Sequence, residues 1–472
     1  MALPSSRWRN TPWQRPWQGS WQGSLTAAGW GFVGAAGVVL LAAQLMGRRD
    51  LLHLAVFLLL VPTAAWISNR LFRPGLMVDR ASDPPVVEAG RDAEVRLAVR
   101  HAGVLVGRLT MAEHLPASLG SGPDFAYPGR HVGGDGASRY RYELSCPHRG
   151  LYVLGPVEAR ATDVFGLAEQ RTRIDAGTRL TVTPAPVPLA SSVLSGLRGI
   201  EGSIATRMQA NPSEDDVMTR EYRHGDPMRR VHWAATARHG QLMVRQEESA
   251  TSPEATIILD LRRDAFPVAT GRPAPPGEWA PGPPEFEWAV TAAMSVAAHL
   301  ADLDYTLRLL DADGSLALSH SPSSPEPDAP DYTGRTGLAA VAEGLAAILP
   351  RAGEAPAPGP HVPGRTPVHT PGHGARTGEG FGDLLLDRIE AHRQRGPLVA
   401  ILGRTSAQDA RVLAPAAESM ERALALVVSD RPGASHAAVQ TLRAAGWLAV
   451  EATAHTRVDA AWLALTQEVA PW

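Results

Sequence analysis

Two long uncharged apolar runs stand near the start of the chain. Leu25 to Met46 carries no charged residue, and Leu51 to Asn69 carries none beyond the titratable His53. A helix of about 20 apolar residues crosses the hydrocarbon core of a bilayer, so the runs predict transmembrane spans over 25–46 and 51–69. Only Gly47, Arg48, Arg49 and Asp50 separate them, which forces a tight hairpin over 25–70. Gly29, Gly34, Ala36 and Gly37 suit close helix packing, and Pro62 is tolerated inside a membrane helix. The apolar stretch starts late and a second follows at once, unlike a cleaved signal peptide. Arg7, Arg9 and Arg15 precede the pair and Arg70, Arg73 and Arg80 follow it, against Arg48 and Arg49 in the loop. That asymmetry predicts a multi-pass protein of the cell membrane with its large C-terminal region in the cytoplasm. The tail over 1–24, with its Trp-Gln repeat at Trp13, Trp17 and Trp21, reads as disordered.

Beyond the hairpin the period changes to two. Glu94 to Arg100 alternates polar and apolar residues, as do Tyr140–Leu144 and Leu180–Thr183, with Pro, Gly and Asp clusters between. Short alternating runs with turn signals predict a small antiparallel β-sandwich over 76–190. From 251 to 472 the pattern changes again. Continuous apolar β runs at Ala255–Leu259, Tyr305–Leu310, Leu398–Leu402, Ala423–Val428 and Trp447–Val450 alternate with helical stretches. The helices are predicted at Phe286–Leu303, Gly337–Leu349, Ala407–Met420, Ala437–Ala445 and Val458–Val469. Strands alternating with helices imply a parallel sheet covered on both faces, a Rossmann-like α/β domain. Pro- and Gly-rich insertions over 267–284 and 351–382 read as flexible loops.

Composition narrows the chemistry. The chain has 472 residues and a formal net charge of −3, so no global charge bias selects a nucleic acid or acidic partner. It has no lysine; all 45 basic residues are arginine. A Walker-type P-loop, a Schiff-base lysine and a Ser-Lys dyad are therefore excluded. Cys146 is the single cysteine, which rules out an intramolecular disulfide and CxxC zinc sites. His361, His369 and His373 lie in the second insertion, but no carboxylate or Cys accompanies them at ligand spacing.

The most distinctive run, in the segment 191–250, is Glu214 to Glu248, EDDVMTREYRHGDPMRRVHWAATARHGQLMVRQEE. Arginine forks, the acceptors Glu221 and Asp226 and the Trp233 indole suit polar networks. Gly225-Asp226-Pro227 predicts a tight turn, Val231–Ala237 a short helix and Leu242–Arg245 a strand. This run resembles the hallmark of the bacterial domain-of-unknown-function family 58. The candidate binding or structural residues are Arg220, Glu221, Tyr222, Gly225, Asp226, Arg230, His232, Trp233, Arg238, Gly240 and Arg245. Thr236, Ala237, Leu242 and Val244 also match, and Val231 stands where the family usually has Ile. A second family element appears as Arg149–Pro156 and Asp163-Val164-Phe165-Gly166-Leu167, with Val164 in place of the usual proline.

The resemblance implies a membrane-tethered protein with a β domain followed by a von Willebrand factor A-like domain. It also implies a MoxR-type AAA+ ATPase and a transglutaminase-like membrane protein as partners and a scaffold or adaptor role, with no established reaction; no cofactor is expected. The metal site of such domains needs D-x-S-x-S after the first strand, because a hard cation wants an Asp and two hydroxyls together. Here the run is Asp260-Leu261-Arg262-Arg263-Asp264, so both serines are missing and no metal is expected. The alternative is a hydrolase or transferase using Glu221, Asp226 and His232 as acid–base groups, but no nucleophile motif accompanies them. The arginines between Arg220 and Arg245 form too small a basic face to predict nucleic-acid binding.

Overall fold

Apolar patterning dictates two kinds of packing in this chain: a small-residue seam between two helices, and sheets with one or both faces buried. The computed structural model describes residues 22–71, 75–102, 108–129, 136–193, 219–222, 228, 231, 233–245, 253–266, 279–351, 381, 383–390 and 396–467. The chain forms two units, Met1–Ala185 with Thr270–Pro281 and Pro186–Ala269 with Gly282–Trp472.

The first unit opens with strand β1 (Gln22–Leu25) and the helices α1 (Ala27–Met46) and α2 (Arg49–Leu71). Both helices are long and apolar enough to cross a membrane. Thr26 caps α1 by accepting from the Gly29 N–H at 3.2 Å, and Gly47 ends it in the left-handed region at φ 65°. Gly29, Ala36 and Ala43 are buried at heptad spacing on α1, with Ala55, Pro62, Ala65 and Asn69 buried on α2. Small side chains in the seam let the backbones approach, while most of the large apolar side chains point outward. Gly34 and Gly37, expected in that seam, are exposed with nothing within 4 Å of a Cβ position. The tail expected to stay unstructured through residue 24 ends instead in β1; residues 1–21 lie outside the described residues.

Ten more strands follow: β2 (Gly75–Asp83), β3 (Val86–Glu88), β4 (Arg91–Ala102), β5 (Arg108–Glu113), β6 (Asp124–Tyr127), β7 (Ser138–Cys146), β8 (Gly150–Leu154), β9 (Val157–Thr162), β10 (Ala168–Arg173) and β11 (Thr178–Thr183). They form sheets of order β1-β10-β9-β5-β6, β2-β4-β7 and β3-β11-β8. Pairing is antiparallel except between β3 and β11. Alternation puts Ala93, Val95, Leu97 and Val99 on one face of β4, where Leu97 and Val99 join Leu109, Met111, Val157 and Ala159, and further along the strand Ala93 and Val95 join Tyr152, Leu154, Leu180 and Val182.

Much of the run Arg149–Pro156 is structural here. A Cβ on Gly150 would lie 2.2 Å from the Trp279 indole, and one on Gly155 would lie 2.7 Å from the Arg80 guanidinium. Arg149 sits over the Trp279 ring at 5.8 Å. Trp279 belongs to the first insertion, read from sequence as a flexible loop. The structure corrects that reading at this end: the indole packs onto the core cluster of Val87, Tyr152 and Leu180.

The second unit contains β12 (Thr219–Glu221), α3 (Trp233–His239) and β13 (Met243–Arg245), then a doubly wound α/β layer structure. Its strands are β14 (Glu254–Leu259), β15 (Thr306–Asp311), β16 (Pro397–Leu402), β17 (Arg422–Ser429) and β18 (Leu448–Thr453). All pair in parallel, in the order β15-β14-β16-β17-β18. The helices are α4 (Pro284–Asp302), α5 (Gly334–Ala346), α6 (Asp383–Glu390), α7 (Ala407–Leu413), α8 (Ala416–Ser419), α9 (His436–Ala444) and α10 (Val458–Gln467). Successive strand residues face opposite layers. Ile257, Leu309, Val399 and Leu426 pack with α4, α5 and α10, while Ile258, Leu310, Ala400 and Val427 pack with α6, α7, α8 and α9. The helix expected over Ala407–Met420 is two, because Pro415 has no N–H to continue the ladder.

Candidate functional site

Two places bring chemistry-bearing residues together in the second unit. The first is the distinctive motif. β12 and β13 pair antiparallel with Thr219 opposite Arg245, Arg220 opposite Val244 and Glu221 opposite Met243. The Tyr222 N–H donates to the Leu242 carbonyl at 2.8 Å, extending the ladder, and Val231 bridges to Val244. α3 then crosses back, ended by Gly240 in the left-handed region at φ 69°. The Thr236 hydroxyl accepts from the Met243 N–H at 3.0 Å, tying helix to strand. Val231, Met243 and Val244 are buried beneath. The outcome is a strand–helix–strand unit with Trp233 66% exposed and Met228 57% exposed.

The predicted helix and strand of this motif form, shifted to Trp233–His239 and Met243–Arg245. Arg220 and Arg245 are placed as backbone on paired strands, Glu221 ends β12, Tyr222 follows it, and Arg238 lies in the last turn of α3. Gly225, Asp226, Arg230 and His232 lie outside the described residues, and with them the acid–base set of Glu221, Asp226 and His232.

The second place is the carboxyl edge of the parallel sheet, where β14 and β16 are neighbours although β15 separates them in sequence. Such a switch point is where open α/β sheets take ligands. Here the crevice is occupied by the chain itself. Asp260, fully buried, follows β14. Its Oδ1 accepts from the Arg262 backbone N–H at 3.0 Å and from Arg262 Nε at 2.9 Å. Its Oδ2 accepts from Arg262 Nη2 at 2.8 Å and from the Gly403 N–H at 3.2 Å. Four donors fill the lone pairs of one carboxylate.

The Arg262 guanidinium lies 4.6 Å from the Phe381 ring centre and 3.8 Å from Asp409. Burial works against its charge, but Asp260, with Asp409 and Asp311, outweighs this and raises its pKa. Asp311, at the end of β15, accepts from the Leu261 N–H at 3.0 Å and the Ala312 N–H at 2.6 Å. Burial, helped by the Asp313 charge, pushes Asp311 up to about 6 against those two donors. Arg351 approaches Asp311 at 3.8 Å and Asp313 at 3.3 Å.

A divalent cation does not fit this arrangement, because Asp260 has no free lone pair and a guanidinium stands beside it. Among the described residues, no cluster of His, Cys, Asp and Glu is grouped to hold a metal ion. His361, His369 and His373 lie outside the described residues. Phe381 and Arg351 correct the reading of 351–382 as wholly flexible: Phe381 is buried, and Arg351 exchanges backbone hydrogen bonds with Leu261 and Arg263. Sequence reasoning caught the Asp260–Arg262 spacing but missed Asp311, Arg351 and Asp409. For Asp311 the available signal was the repeated pattern of an apolar strand ending directly in Asp; Arg351 and Asp409 carried none.

Solved structures show only weak likeness. The CARDB domain of the PF1109 protein from Pyrococcus furiosus, in complex with di-metal ions, is 16% identical, with 24% of this chain and 94% of that one covered and a TM-score of 0.16. Cwp6 from Clostridium difficile is 8% identical, with 82% of this chain and 55% of that one covered and a TM-score of 0.12. No curated protein matches the chain. Residues 218–266, which hold the strand–helix–strand motif and run on through β14 to Asp260 and Arg262, match the family described as Protein of unknown function DUF58.

Proposed function

We propose that this chain is a membrane-anchored, non-enzymatic scaffold or adaptor that engages a MoxR-type AAA+ ATPase, with a transglutaminase-like membrane protein as a further partner. The observation that carries the reading is the exposed Trp233 on a motif otherwise built of backbone pairing and buried Val and Met. A large aromatic left in water on an ordered platform is the kind of side chain that anchors a protein interface. In this reading the β unit is a sandwich-like spacer. The parallel unit is a von Willebrand factor A-like domain, with the antiparallel bridges Leu307–Tyr332 and Leu310–Leu316 standing in for a hairpin at its β15 edge. The self-filled switch point supports binding by surface rather than by a resident cation.

In this reading the helix pair is the tether, and the arginine asymmetry favours a cytoplasmic position for both units. A reporter fused after Trp472 tests that topology; a signal from the outer side reverses it. The partner is tested by affinity purification of the full chain from solubilised membranes. An AAA+ ATPase is expected with the native chain, and its capture by W233A is expected to weaken about tenfold or more, with folding unchanged. Recovery of no AAA+ ATPase with the native chain would sink the adaptor reading.

A further inference from the structure

The turn between β9 and β10 (residues 163–167) is locked to the start of α1 and the end of α2. The Thr26 N–H donates to the Leu167 carbonyl at 3.0 Å, and the Thr26 hydroxyl donates to the Gly166 carbonyl at 2.7 Å. At the end of α2, the buried Asn69 side-chain amide donates to the Ala168 carbonyl at 3.0 Å. Leu167 and Ala168 pack on Ala65, Val61 and Leu25, and β1 pairs with β10 along its whole length. The turn therefore sits at the level where the helices would leave a bilayer. At that level α1 presents Trp30 and α2 presents Trp66 with the Arg70 guanidinium 5.3 Å from its ring centre. Tryptophan and arginine together mark a membrane–water interface.

The turn holds two large apolar side chains out of the protein. Val164 is 70% exposed and Phe165 is 74% exposed. They are held there by design of the backbone: Asp163 Oδ2 accepts from the Phe165 N–H at 2.8 Å, Oδ1 accepts from the Ala168 N–H at 2.6 Å, and Gly166 turns at φ 71°. A rigid turn exposing two apolar residues next to lipid-facing helices is continuous with their apolar surface.

We propose that Val164 and Phe165 insert into the interfacial layer of the bilayer, as a third membrane contact that fixes the β unit against the lipid surface. This rests on reading the two helices as membrane spans. The test uses the full chain reconstituted in phosphatidylcholine–phosphatidylglycerol vesicles, in a C146S background, because Cys146 is the sole cysteine. Single spin labels are placed at V164C, at F57C on the outward face of α2 and at R91C. Arg91 lies at the end of β4 opposite Ala102, which pairs with Gly75 shortly after α2. Accessibility is read against oxygen, which enriches in lipid, and a nickel chelate, which stays in water.

The label at 164 is expected to be several-fold more accessible to oxygen than to nickel, as at 57, with the reverse at 91. F165D is expected to return the 164 label to nickel accessibility while leaving 57 unchanged. If 57 reads lipid and 164 reads water, the insertion is wrong and the anchor stands. If 57 reads water as well, the anchor reading itself fails and the insertion falls with it. A 164 label shielded from both reagents means that protein covers the turn, and no response to F165D means that Phe165 does not hold it; either result overturns the proposal.

Discussion

A buried carboxylate is stable only when its charge is matched and its lone pairs are filled, and Asp260 meets both conditions through Arg262 and Gly403. Removing the guanidinium alone leaves an uncompensated charge inside the sheet edge. R262M is therefore expected to destabilise the parallel unit by about 3–5 kcal/mol. The double variant D260L/R262M, which removes both charges, is expected to recover most of that loss. Hydrogen exchange of the β14 amides in the full chain reads both, because these strand amides open only with the sheet. Equal protection in R262M and the native chain would show that the pair is not what holds the edge. The same reasoning makes Asp260 a poor cation ligand: its charge is already neutralised by a residue two positions on.

At the level of elements, small residues act by where they face rather than by their number. A Cβ on Gly29 would lie 2.2 Å from the Leu167 carbonyl oxygen, whereas Gly34 and Gly37 have open space. G29A is expected to lower stability by about 1–3 kcal/mol through overpacking. G34A and G37A are expected to be neutral or slightly stabilising, since alanine is the better helix former. Thermal unfolding in one detergent compares the three, and an unchanged G29A would mean that α1 does not dock on the turn.

Composition shows that α1 is rich in small residues but leaves its rotation open, so sequence alone does not separate Gly34 and Gly37 from the seam residues Gly29 and Ala36. The parallel strands were legible because burial on both faces leaves continuous apolar runs such as Ala255–Leu259 and Leu398–Leu402. β1 was not legible, since a short polar strand beside a Trp-Gln repeat gains its identity only from β10, far along the chain. In the Pro/Gly-rich insertions, Trp279 and Phe381 were the lone large aromatics worth noticing. In the motif, the helix and the second strand were readable, but the placement of Trp233 outside and Val231 inside required the fold.

At the scale of the whole molecule, the titratable groups that matter most are buried within each unit. Arg80, nearly buried, pairs with Glu113 at 2.7 Å and with Asp175 at 2.8 Å, between the two core clusters of the β unit. Burial raises Glu113 from 4.5 to about 7; the Arg80 charge opposes this without overcoming it, and Asp175 adds to the rise. Tyr142, facing the same cluster, is pushed up by burial and by the Glu113 charge. A carboxyl with a raised folded-state pKa binds its proton more tightly folded than unfolded, so its stabilisation is complete below about 4.5 and is lost as pH rises through about 7. The size of this effect is on the order of 3 kcal/mol as an upper bound. Asp311, raised from 3.8 to about 6, acts with the same sign in the parallel unit. The full chain in detergent is therefore expected to melt at a lower temperature at pH 8 than at pH 5. E113Q, which keeps the shape of the neutral carboxyl and cannot ionise, is expected to flatten that slope for the β unit. Hydrogen exchange on β5 between pH 5 and 8, corrected for the intrinsic rate, separates this unit from the other. A slope that survives E113Q unchanged would assign the pH dependence elsewhere and leave the Arg80 cluster as a permanently charged triad.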